Sequence, residues 1–102
     1  MDLIDLPVVV AVYGSLKRRW ELDGIEYEGW GADLDELLTP FDPLASVTLL
    51  RGGASGVAEI WPTGYVRLLY GDRSVAHVQV AGPAELRDQL LQLASWVIEH
   101  SS

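Results

Sequence analysis

The chain has 102 residues, a formal charge of −8, no cysteine and 49% apolar residues, enough for one domain with a real core and against a disordered chain. Without cysteine it forms no disulfide and offers neither a thiolate metal site nor a cysteine nucleophile. No apolar run approaches the ~20 residues of a membrane span, and the net charge disfavours direct binding to nucleic acid or to an anionic membrane, which need a basic footprint.

Residues 7–13, rich in valine, predict a first, buried strand; Gly14-Ser15 either turns the chain or lets the strand run on toward Trp20. Asp2 and Asp5 precede this run where a signal peptide would carry lysine or arginine, so a cytoplasmic protein is expected. Trp20 to Tyr27 predicts a tight hairpin. Asp23-Gly24 lies between alternating apolar residues, with Trp20 and Leu22 on the face of Ile25 and Tyr27 and with Glu21, Glu26 and Glu28 on the other. Gly29-Trp30-Gly31 ends that pattern. Asp33-Leu34-Asp35-Glu36-Leu37-Leu38 predicts a short helix near 33–39, halted by Pro40, with its acids at the end where the helix dipole favours them.

Residues 46–50 predict another strand, and Arg51-Gly52-Gly53-Ala54-Ser55-Gly56 a turn. Three β-rich runs follow, 56–61, 65–70 and 74–80, separated by Pro62-Thr63-Gly64 and Gly71-Asp72, an antiparallel meander. In the third, Ala76, Val78 and Val80 alternate with His77 and Gln79, which splits apolar and polar side chains between the two faces. From Pro83 on, Leu86, Leu90, Leu93 and Val97 recur at helical spacing, flanked by Leu91, Ala94 and Ile98, while Arg87, Gln89, Gln92 and Glu99 face away. The expected fold is a single two-layer α+β domain: a mainly antiparallel sheet of about five to seven strands, a C-terminal amphipathic helix on one face, and the short helix near 33–39.

Motifs of chemistry are sparse. The glycine-rich turn joins two strands and lacks the lysine of a phosphate loop. His77 and His100 share no ligand spacing with each other, and no serine sits in a nucleophile elbow. Asp33 with Glu36, or Asp35 with Asp42, could couple as an acid pair, although surface carboxylates are far more often simply solvated. No catalytic residue, metal or cofactor is expected.

Val10-Ala11-Val12-Tyr13-Gly14-Ser15-Leu16-Lys17 resembles the strand-and-loop signature of the γ-glutamylcyclotransferase family, roughly V-Y-G-S/T-L-K/R. The resemblance implies that Tyr13, Gly14, Ser15 and Leu16 form a loop whose backbone N–H groups hold a glutamyl end. It covers about eight residues. Residues 56–61 are loosely similar to a later strand of that family, but the family's catalytic glutamate follows that strand in an L-D-x-x-E-G context, and Thr63-Gly64-Tyr65-Val66 supplies none here.

Charge location is the strongest functional signal. Between residues 20 and 42 lie Glu21, Asp23, Glu26, Glu28, Asp33, Asp35, Glu36 and Asp42 with no lysine or arginine, while the remaining seven acids and seven bases cancel. The whole net charge therefore resides in this segment, beside Trp20, Tyr27, Trp30 and Phe41. Aromatic anchors among carboxylates predict a small non-catalytic binding module, of the kind that antagonises a basic, nucleic-acid-binding protein as immunity-type inhibitors do. Its contact residues are Glu21, Glu26, Glu28, Trp30, Asp33, Asp35 and Glu36. The competing explanation makes the aromatics core and the acids a solvated face. A homodimer or accessory subunit is a second reading, because four tryptophans are many for one small core and Trp61 and Trp96 compete for places in it. A cyclotransferase-like enzyme is the third.

Overall fold

The computed structural model describes residues 4–31 (Trp30 and Gly31 through their backbone), 43–71 and 74–101. Its first element corrects the expected N-terminal strand: Leu6–Leu22 is a helix, α1. Asp5 caps it, its side chain accepting the Val8 N–H at 3.0 Å, and Pro7 occupies the first turn, where its missing N–H costs nothing. Val9, Val12, Leu16 and Trp20 are buried, a stripe at helical spacing. The valines favour a strand locally, but burial of this stripe overrides a propensity difference of well under ~1 kcal/mol per residue.

The expected hairpin at 20–27 is corrected in the same way. Asp23-Gly24 ends α1 instead of reversing a strand. Gly24 takes φ 73°, its N–H donates to the Glu21 carbonyl at 3.2 Å, and the Ile25 N–H reaches back to the Trp20 carbonyl at 2.8 Å. This is the paired closure of a Schellman cap, with Trp20 and Ile25 both buried as its hydrophobic contact. Leu22, placed by the hairpin beside Trp20, is 78% exposed.

Five strands follow: β1 (Glu26–Gly31), β2 (Ala45–Arg51), β3 (Ala54–Ile60), β4 (Tyr65–Tyr70) and β5 (Ser74–Gln79). They form one antiparallel sheet in chain order, and the last four match the predicted strands closely. The β2–β3 turn is the glycine pair, with φ of 52° at Gly52 and 87° at Gly53, as a two-residue hairpin loop requires. The expected helix near 33–39 lies outside the described residues.

Helix α2 (Pro83–His100) carries the predicted stripe: Leu86, Leu90, Leu93, Ala94 and Val97 are buried. Glu85 accepts the Ala81 N–H at 3.0 Å ahead of the first turn. At the other end Arg51 donates to Ser101 Oγ at 2.7 Å and to the Ile98 carbonyl at 3.4 Å, a cation where the helix dipole is negative. Both helices lie on one face of the sheet, α2 over β2, β3 and β4, α1 beside it over β1 and β2. The inward residues of β3 are Ala54, Gly56, Ala58 and Ile60. Three of these are small, so α2 can settle close to the backbone. The architecture is the expected two-layer α+β fold with a second long helix in its helical layer. No helix among the described residues is long and apolar enough to cross a membrane.

Candidate functional site

Strand β1 is one edge of the sheet, and register decides where its acids go. Tyr27 and Gly29 pair with Leu49 and Val47, which are buried, whereas Glu26 and Glu28 pair with Leu50 and Thr48 on the face away from the helices. Both glutamates are exposed, and neither belongs to an ion pair among the described residues. Glu21, exposed in the last turn of α1, accepts the Tyr27 hydroxyl proton. That hydrogen bond and the Glu21 charge raise the Tyr27 phenol above its ordinary value, because ionising it would place two negative charges side by side.

Of the seven expected contact residues, the structure thus places Glu21, Glu26 and Glu28 on and beside a single edge strand. Trp30 contributes backbone to β1 opposite Ser46. Asp33, Asp35 and Glu36 lie outside the described residues, as do the acid pairs proposed from them and Asp42.

Of the aromatics expected beside this patch, Trp20 and Tyr27 are corrected, while Phe41 and the Trp30 side chain lie outside the described residues. Trp20 is fully buried and Tyr27 half-buried. They form a cluster with Tyr13, with ring centroids 5.7–5.8 Å apart in tilted and edge-on contacts. Trp20 is core, and Tyr13 and Tyr27 pack against it at the core's margin. The indole N–H of Trp20 has no hydrogen-bond partner among the described residues. Glu28 and partial burial together hold the Tyr13 phenol above its usual range, burial being the larger cause.

The segment that resembles the cyclotransferase loop is also corrected. Residues 10–17 lie within α1, so the backbone N–H groups of Tyr13, Gly14, Ser15 and Leu16 close helical turns, and Ser15 Oγ donates to the Val12 carbonyl at 2.7 Å. Tyr13 does line a cleft of about 210 Å³ with Leu6, Val9, Val10, Lys17 and Gly29, and no carboxylate among the described residues lines it. Lys17 Nζ sits 4.8 Å from the Tyr13 ring centroid.

Sequence reasoning missed a second cluster on the open face of the sheet. Glu59, Arg67 and His77 stand in one row across β3, β4 and β5. Arg67 pairs with Glu59 and lies over the Trp61 ring. Tyr65 packs on Trp61 and stacks on His77, whose Nδ1 meets the Tyr65 hydroxyl. The signal was present in the short turns, which fix the register that aligns these residues. Glu59 is occupied by Arg67, so the row presents a paired charge and stacked rings on the open face of the sheet. No group of three or more His, Asp or Glu side chains among the described residues is arranged to hold a metal ion.

Comparison with known proteins gives no matching family, no matching curated protein and no matching solved structure, so no role is carried to these residues from a relative.

Proposed function

We propose that this chain is a small non-catalytic module that binds a cationic protein through the acidic rim begun by Glu21, Glu26 and Glu28. The observation that carries the reading is the exposed placement of Glu26 and Glu28 on the open side of an edge strand, with no ion-pair partner among the described residues, within the segment that holds the entire net charge. Charges left unpaired on a rim contribute little to stability but attract an oppositely charged surface and speed its approach. With Trp20 and Tyr27 committed to the core, affinity rests on the carboxylates and on apolar neighbours such as Leu50, which is 41% exposed beside Glu26. An antagonist that covers a nucleic-acid site on a basic protein is the case whose chemistry fits best.

The test uses an arginine-rich peptide as a stand-in for such a surface, with binding followed by calorimetry across a salt series. Affinity should fall steeply as salt rises, and Glu26→Lys with Glu28→Lys should abolish it while leaving the thermal transition in place. Salt-independent binding, or binding unchanged in the double variant, would reject the rim as the contact surface.

A further inference from the structure

The two edges of the sheet are guarded very differently. β1 reads Glu-Tyr-Glu-Gly-Trp-Gly, with two exposed carboxylates. β5 reads Ser-Val-Ala-His-Val-Gln, with no Asp, Glu, Lys, Arg or proline. Edge strands ordinarily carry charges, prolines or bulges because an open edge pairs with whatever strand it meets. Among the described elements β5 touches β4 alone, and neither helix reaches it.

The hydrogen bonds show which groups that edge presents. The Trp61 N–H reaches Tyr65, the Gly71 N–H reaches Ser55, and the Val80 N–H reaches Gly64. Bonding alternates along an antiparallel strand, so Tyr65, Arg67 and Leu69 bond toward β3, and Val66, Leu68 and Tyr70 toward β5. Their β5 partners, Val78, Ala76 and Ser74, are therefore turned inward. Val75, His77 and Gln79 are left aiming N–H and C=O at the open edge.

We infer that β5 is a self-pairing edge, through which two copies join their sheets into one antiparallel ten-stranded sheet about a two-fold axis at His77. The outward set is symmetric about its middle member. An antiparallel copy sets His77 against its own counterpart and Val75 against Gln79 twice over, about six backbone hydrogen bonds in all. The intervening pairs bring Ala76 against Val78, both half-buried and at the margin of the core, so that each side chain gains an apolar neighbour. On the open face Val75, 53% exposed, is covered in part by Gln79 of the copy.

Charge permits a second copy of this protein as the occupant, and the self-complementary outward set fits it. β1 is four strand spacings from β5, roughly 19 Å, against a screening length of about 8 Å at physiological salt. Two molecules of charge −8 can therefore meet at β5 with their acidic edges at opposite ends of the joint sheet, roughly 40 Å apart. Pairing through β1 would oppose glutamates directly. Both acidic rims stay free, so the pairing is independent of the cationic-partner reading.

Sedimentation of the full chain over a concentration series should show the mass rising from 11.2 kDa toward twice that value. His77→Lys places two ammonium groups opposite each other at the axis and should weaken the dimer by up to roughly fivefold, with circular dichroism unchanged. Because the chain has no cysteine, register is testable by single additions. His77→Cys should cross-link to itself under mild oxidation, its Cα atoms about 5.5 Å apart, whereas Val75→Cys, with copies roughly 14 Å apart, should not. A monomer at every concentration overturns the inference. So does a dimer indifferent to His77→Lys, or one that cross-links equally at both positions.

Discussion

Replacing Gly56 by alanine measures how closely α2 rides on the sheet. Gly56 is buried on the helix-facing side of β3, and a Cβ built there lies 2.7 Å from Leu93 Cδ1, 2.9 Å from Leu93 Cγ and 3.1 Å from Val97 Cγ2. Carbon pairs prefer about 3.5–4.0 Å, so the helix must lift or Leu93 must leave its rotamer. Leu93 and Val97 are both fully buried and have little room to move. Overpacking of this kind costs about 1–3 kcal/mol, and removing glycine's freedom in the unfolded chain offsets about 0.4–1 kcal/mol of it. A net loss of about 0.5–2 kcal/mol is expected, a fall in Tm of several degrees, on the scale of about 4–8 °C per kcal/mol for a chain of this size. Urea denaturation with and without Leu93→Ala isolates the contact. Leu93→Ala alone should cost about 2–5 kcal/mol, and the double variant should be more stable than the sum by about 0.5–3 kcal/mol. A neutral or stabilising Gly56→Ala, or strict additivity, would refute the close packing of α2 on β3.

Two further outcomes follow from the ends of α1 and from the buried phenols. Gly24→Ala forces a side chain into the left-handed conformation that closes the Schellman cap and should destabilise by about 1–2 kcal/mol in thermal denaturation, with Asp5→Ala costing a similar ~0.5–2 kcal/mol at the other end. If residues 7–13 formed a strand instead, Asp5→Ala would leave stability unchanged. Partial burial raises the Tyr13 and Tyr70 phenols above 10.0, with Glu28 adding to the effect at Tyr13. The folded state then holds these protons more tightly than the unfolded chain. Their contribution is complete below pH 10 and is lost as pH rises through the folded values. The denaturation midpoint should fall on that alkaline side, less so in Tyr70→Phe, and a midpoint that rises there would contradict the burial of these rings.

The proposed recognition surfaces were legible to different degrees. The concentration of charge in residues 20–42 is a property of composition, and the exposure of Glu21, Glu26 and Glu28 follows from the cost of burying a carboxylate. Which aromatics accompany them was not legible, because Trp20 and Tyr27 serve equally well as interface or core until the packing partner is known. The cluster of Trp61, Tyr65, Arg67 and His77 depends on cross-strand register, which the short turns between the strands set and no one strand shows by itself.

The same division runs through the fold. Residues 45–101 announced themselves because their patterns admit one solution. Period-two strands between glycine turns make a meander, and a leucine stripe at helical spacing needs an apolar face to lie on. Residues 6–25 did not, because five consecutive apolar residues satisfy a strand and a helix alike, and Asp-Gly supplies a left-handed glycine equally to a hairpin or to a helix end. Tertiary structure decided both. As a helix, the segment puts Val9, Val12, Leu16 and Trp20 on one line beside α2 and over β1 and β2, and the glycine then falls where that helix must stop.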